Sequence, residues 1–72
     1  MSAVKNLIET FVNGNLADAK TQARRHSHRA LREAYTATMG GTERTATSAA
    51  DYLKGGCTFE EFCEVNREEA SK

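Results

Sequence analysis

Glycine and proline are the residues that interrupt regular structure, and this chain has no proline and only five glycines, gathered at three places: Gly14, Gly40–Gly41 and Gly55–Gly56. Between these stops there is no alternating run of β-branched residues, and the apolar positions recur at helical spacing. The pattern predicts an all-α protein, a small compact bundle of four to five short helices with residues 1–72 as a single domain. Connections are short, and no linker, internal repeat or low-complexity tract divides the chain.

The first helix has Ser2 as its candidate cap, and Val4, Leu7, Ile8 and Phe11 fall at i, i+3, i+4 and i+7, one buried stripe that Val12 should widen. Gly14 ends it, since glycine takes the left-handed cap conformation without a Cβ clash. Asn15 is placed to cap a second helix with Leu16, Ala19 and Ala23 inside and Asp18 near the positive end of its dipole. Around His26 and Ser27 either Ser27 caps a new helix or one helix runs from Asn15 to about Met39; the capping chemistry of serine favours the break. The third helix, His28 to Thr38, should bury Leu31, Ala34, Tyr35 and Thr38 before Gly40 and Gly41 stop it. Thr42 caps a fourth, whose inner residues Ala46, Ala49, Ala50 and Leu53 are small enough to let another helix approach closely. Thr58 and Glu61 form a capping box for a fifth, with Phe59, Phe62, Cys63 and Asn66 inward and fraying from about residue 68.

A chain of 72 residues carries one small core, worth only about 3–5 kcal/mol, with little room for an enclosed substrate pocket. Glu9 interrupts the only apolar stretch near the N-terminus, and there is no run of about 18 apolar residues, so neither secretion nor membrane spanning is expected. Cys57 and Cys63 are too few for a disulfide framework and are not in a C-x-x-C arrangement; reduced thiols in a cytoplasm are the simplest expectation.

Ten basic and ten acidic residues cancel, which argues against binding nucleic acid by bulk charge alone, but they are not evenly spread. Between Lys20 and Arg32 there are five Lys and Arg and no acid, whereas from Glu60 onward five glutamates face only Arg67 and Lys72. On a continuous helix Arg25, His28, Arg29 and Arg32 fall on one face opposite Leu31 and Tyr35, with Lys20 and Arg24 one to two turns before; a break at Ser27 would take Arg25 out of line. Such a stripe is either a solvated outer face or a docking surface for something acidic: a protein groove, a phosphate backbone, or the glutamate-rich last helix of a second copy, which would make a homo-oligomer.

The main functional expectation is a non-enzymatic protein-interaction module whose partner-binding residues are Lys20, Arg24, Arg25, His28, Arg29 and Arg32, facing a protein with an acidic surface. The alternative is a small DNA-binding protein, as a dimer in which two weak contacts add: Met39-Gly40-Gly41 is a short glycine-bearing turn like that of a helix-turn-helix, and the next helix would offer Arg44, Thr45, Thr47 and Ser48 to a groove. Against it, Thr36, Ala37 and Thr47 stand where larger aliphatics are usual, and Glu43 would face phosphate. The Met39-Gly40 turn with Ala49-Ala50-Asp51-Tyr52-Leu53 resembles the turn and last helix of ubiquitin-associated domains. That likeness covers under half the chain and departs in spacing, since the family has another helix between the two elements; no binding residue is carried over. In style, a short helical chain without proline or tryptophan is similar to small bacteriophage-encoded proteins that bind and modulate host machinery, so a viral modulator or inhibitor is the expected setting.

His26, His28, Cys57 and Cys63 are the only histidines and cysteines, but His26 and His28, two apart on a helix, point about 200° away from each other and Cys57 and Cys63, six apart, diverge similarly, so neither pair is set to share a metal. No metal or cofactor is expected. No nucleophile has a base and an orienting group at recognisable spacing, and no phosphate-loop, dinucleotide or H-E-x-x-H pattern occurs, so no catalytic residue is assigned.

Overall fold

The computed structural model describes residues 3–71, among which there are five helices and no strand: α1 (Ala3–Val12), α2 (Leu16–Ala23), α3 (His28–Met39), α4 (Glu43–Leu53) and α5 (Phe59–Ala70). Ser2, the expected first cap, lies outside the described residues. The helices pack into a body of about 32 × 22 × 21 Å, in which α4 is central. It lies along α3 on one side and α5 on the other and touches α2, while α1 packs against α2 and α3.

The glycines act as the sequence predicts. Gly14 has φ +93°, and its N–H donates to the Phe11 carbonyl at 3.1 Å while that of Asn15 donates to Thr10 at 3.1 Å. This paired reversal satisfies the last carbonyls of α1. Gly55 repeats it after α4, with its N–H on Tyr52 and that of Gly56 on Asp51. Three caps also form as expected: the Ser27, Thr42 and Thr58 hydroxyls accept from the backbone N–H of Ala30, Thr45 and Glu61, and Glu61 closes the box by accepting from the Thr58 N–H at 2.8 Å. Asn15 occupies the cap position of α2, but its side chain makes no capping bond.

The core joins Leu7, Ile8 and Leu31, all fully buried, to a cluster of rings. Phe11 is the hub, with its ring centroid 5.3 Å from Phe62, 5.7 Å from Tyr52 and 6.4 Å from Tyr35. One side chain of α1 thus meets α3, α4 and α5 at a single point. Ala19, Ala23, Ala46, Ala49 and Ala50 are solvent-free, as the close approach of backbones around α4 requires.

Several expectations fail at the edges of these stripes. Val12 is 46% exposed and does not widen the face of α1, because the chain turns away at Gly14 before any helix covers it. Phe59 is 40% exposed, resting on Tyr52 at 5.5 Å instead of entering the core, since it stands on the first residue of α5. Thr38, Cys63 and Asn66 are only half-buried. The fifth helix does not fray at residue 68 but continues through Ala70, held there by Arg44 on α4. Between the Met39-Gly40 turn and Leu53 there is one helix, α4, so the spacing that separates this chain from ubiquitin-associated domains is real. No helix of the described residues is long and apolar enough to cross a membrane.

Candidate functional site

The basic segment does not form one stripe. After Ala23 the chain leaves α2 through three tighter bonds, from the N–H groups of Arg24, Arg25 and His26 to the carbonyls of Thr21, Gln22 and Ala23, and Ser27 then turns to an extended conformation to cap α3. The break takes Arg25 off the face of α3, as the capping chemistry of Ser27 predicts. Two groups of cations result, and they differ in what surrounds them.

Two members of the α3 group are paired with carboxylates of the chain. His28 Nε2 meets Asp51 Oδ1 at 2.6 Å, joining the start of α3 to the last turn of α4. Arg29 Nε donates to Glu33 Oε2 at 3.2 Å, one turn on. Arg32 is half-buried and shares a shallow groove with Glu33, Thr36, Ala37 and Glu43. Of the six residues expected to bind a partner, these three therefore sit on a mixed-charge face.

The second group lies where α2 meets the end of α4. Lys20 extends its ammonium over the ring of Tyr52, 4.9 Å from the centroid, an arrangement favoured by the negative face of the ring. Lys20, Arg24, Leu53, Lys54 and Gly55 line one cavity that contains no carboxylate. Lys54 Nζ donates to the carbonyls of His26 at 2.7 Å and Ala23 at 3.4 Å, closing the C-terminal end of α2 from across the fold. Arg25 is exposed on the adjoining turn, and neither it nor Arg24 has an ion-pair partner among the described residues. Lys54 escapes sequence reasoning because nothing local marks it. Its only signal is a basic residue at a helix end, next to a glycine pair.

On α4 the residues assigned to a DNA groove separate. Thr45 and Ser48 are 6% and 7% exposed, and Thr45 shares a hydrogen bond with the Thr42 hydroxyl at 3.1 Å, so neither reaches solvent as the groove placement requires. The reason is the central position of α4, which turns more than half its circumference toward neighbours. Thr47 is half-buried, and Arg44 donates to Glu68 at 2.9 Å and Glu69 at 3.3 Å, so its charge is already matched.

An open groove of about 590 Å³ runs between α4 and α5, with Glu43, Asp51 and Glu61 among its walls and Cys57 beside them. The Cys57 thiol donates to the Ser48 carbonyl at 3.7 Å. Its pKa is raised, first by burial and then by the charges of Asp51 and Glu61, which keeps it a thiol at neutral pH, the opposite of what an activated nucleophile needs. Among the described residues no three His, Cys, Asp or Glu side chains gather so that they could hold a metal ion.

No family model, curated protein or solved structure matches this chain.

Proposed function

We propose that this chain is a small, non-enzymatic protein-interaction module that takes an acidic protein surface on the corner formed by Lys20, Arg24, Arg25 and Lys54. The observation that carries the reading is the cavity lined by three cations, from α2 and from the residues that end α2 and α4, with no carboxylate among its walls. Positive charges gathered without counter-charge repel one another, and an acidic partner relieves that repulsion while being steered toward it. The non-enzymatic part is supported by the suppressed Cys57 thiol. The further reading, a cytoplasmic phage-type modulator or inhibitor of a host protein, rests on the style of the chain alone.

The DNA-binding alternative has less support, because Thr45 and Ser48 are buried and Arg44 is committed to α5. The discriminating experiment titrates the protein against fluorescent poly-glutamate and against a labelled DNA duplex. Poly-glutamate should bind, and replacing Lys20, Arg24 and Arg25 with glutamine should weaken it by tenfold or more, while Arg29→Gln with Arg32→Gln should have a smaller effect. Duplex binding in preference to poly-glutamate, with a log–log salt slope of about −0.9 per phosphate neutralised, would replace this reading with the DNA-binding one.

A further inference from the structure

We propose that the acidic surface taken by this basic corner is the outer face of α5 on a second copy of the same chain, in a two-fold dimer centred on Phe59. The inference rests on the basic corner being an acid-binding surface, and adds the identity of its occupant.

Lys20 Nζ and the Phe59 ring both lie within 5.5 Å of the Tyr52 ring centroid, so the exposed phenyl group and the cation flank the same aromatic floor. Among the described residues Phe59 is one of three large apolar side chains left exposed, and the others, Val12 and Met39, sit together at a different place, beside Glu9 and Thr38. Around α5, Phe62 stands about 60° from Phe59 on the side facing the core, and Glu60 about 100° away on the side facing solvent. Glu64 follows Glu60 one turn later on that outer face. Cations and the exposed Phe59 ring thus share one neighbourhood, and carboxylates lie about 100° further round α5 from that ring.

A two-fold interface needs this arrangement, because each residue meets its complement only if both kinds lie on one patch, on opposite sides of the axis. With the two Phe59 rings together at the axis, Glu60 and Glu64 of each copy face Lys20 and Arg24 of the other. Neither Glu60 nor Glu64 has an ion-pair partner among the described residues. The formal net charge is zero, so two copies approach without overall repulsion. The surface of one chain is 4626 Å², and a specific interface of about 500 Å² per partner would use roughly a tenth of it, a modest demand.

Sedimentation velocity tests this directly. The wild-type chain should move from the 7.9 kDa monomer toward twice that mass as concentration rises at about 0.1 M salt. It should return to monomer at about 1 M salt, where the screening length drops from about 10 to about 3 Å. One variant carries Lys20→Glu and Arg24→Glu; a second carries Glu60→Lys and Glu64→Lys. Each alone should be monomeric, and an equimolar mixture should restore the dimer, because both contacts of the mixed pair are then complementary. Far-UV circular dichroism confirms that each is helical. If either fails to fold, Phe59→Ser, at a half-exposed site, should weaken wild-type association by tenfold or more. A wild-type chain that stays monomeric, or variants that associate as the wild type does, would overturn the proposal. If such a monomer still binds poly-glutamate through Lys20 and Arg24, only the second copy is lost. If it binds no acidic polymer, the basic-corner reading falls as well.

Discussion

Phe11→Leu is the sharpest test of how this fold is held, because one side chain of α1 reaches the rings of three other helices. Leucine keeps the helix propensity and most of the apolar area but removes all three ring contacts. Aromatic pairs contribute about 0.5–1.5 kcal/mol each beyond area, and new contacts by leucine offset part of the loss, leaving a net destabilisation of about 2 kcal/mol. Against a core worth about 3–5 kcal/mol, that is close to half the stability. For a chain of this size the urea dependence is about 1 kcal/mol per molar, so the midpoint should fall by about 2 M when followed by circular dichroism at the helix band. Phe59→Leu is the control: it also touches two rings, at 5.5 and 5.9 Å, but is 40% exposed and should shift the midpoint by less than about 0.5 M. Equal shifts for the two, or a shift under about 0.5 M for Phe11→Leu, would mean that the ring cluster is not what joins α1 to the rest.

Four further outcomes are expected. Arg44→Ala should speed amide exchange in the last turn of α5 while barely changing the thermal midpoint, as read by hydrogen–deuterium exchange mass spectrometry, since its partners are Glu68 and Glu69 at the helix end. Thr58→Ala removes one half of a complete capping box and should lower stability by about 1 kcal/mol in urea titration. Gly55→Ala should cost about 1–2 kcal/mol through backbone strain alone, because φ is +82° and nothing lies within 4 Å of the added methyl group. In a Cys63→Ser background, alkylation of Cys57 should follow a pH profile whose midpoint lies above that of free cysteine, and Asp51→Asn should move it down; a midpoint at or below free cysteine would contradict the buried, acid-flanked thiol.

The helices were legible because their signals are local. A glycine with positive φ, or a hydroxyl accepting from the third amide of a helix, depends on residues within one turn, and Gly14, Gly55, Ser27, Thr42 and Thr58 all behave accordingly. The small inner face of α4 was also readable, since Ala46, Ala49 and Ala50 can only serve close packing. How many neighbours would press on α4 was not, because helical spacing gives the direction of one face but not the number of elements that cover a helix. Thr45 and Ser48 look like surface residues by type, and the burial of both follows from the second and third neighbours of α4.

The same limit governs the charged surface. A run of basic residues in the sequence is a set of candidates, and what each becomes depends on carboxylates that arrive from elsewhere in the chain. Asp51, 23 residues beyond His28, takes that residue out of the set, whereas the pairing of Arg29 with Glu33, one turn on in the same helix, is local. Lys54 enters it from 28 residues beyond His26, by reaching back to the carbonyls that end α2. These exchanges act together: the bend at Ser27 separates Arg24 and Arg25 from α3, and the ammonium of Lys54 takes the His26 carbonyl at that bend and shares the Ala23 carbonyl with the His26 N–H. The closure of α2 and the gathering of cation charge at its end are therefore one structural event. A variant at Lys54 should weaken both the helix end and the binding of acid, whereas variants at Lys20 or Arg24, which hold no backbone carbonyl, should weaken the binding alone.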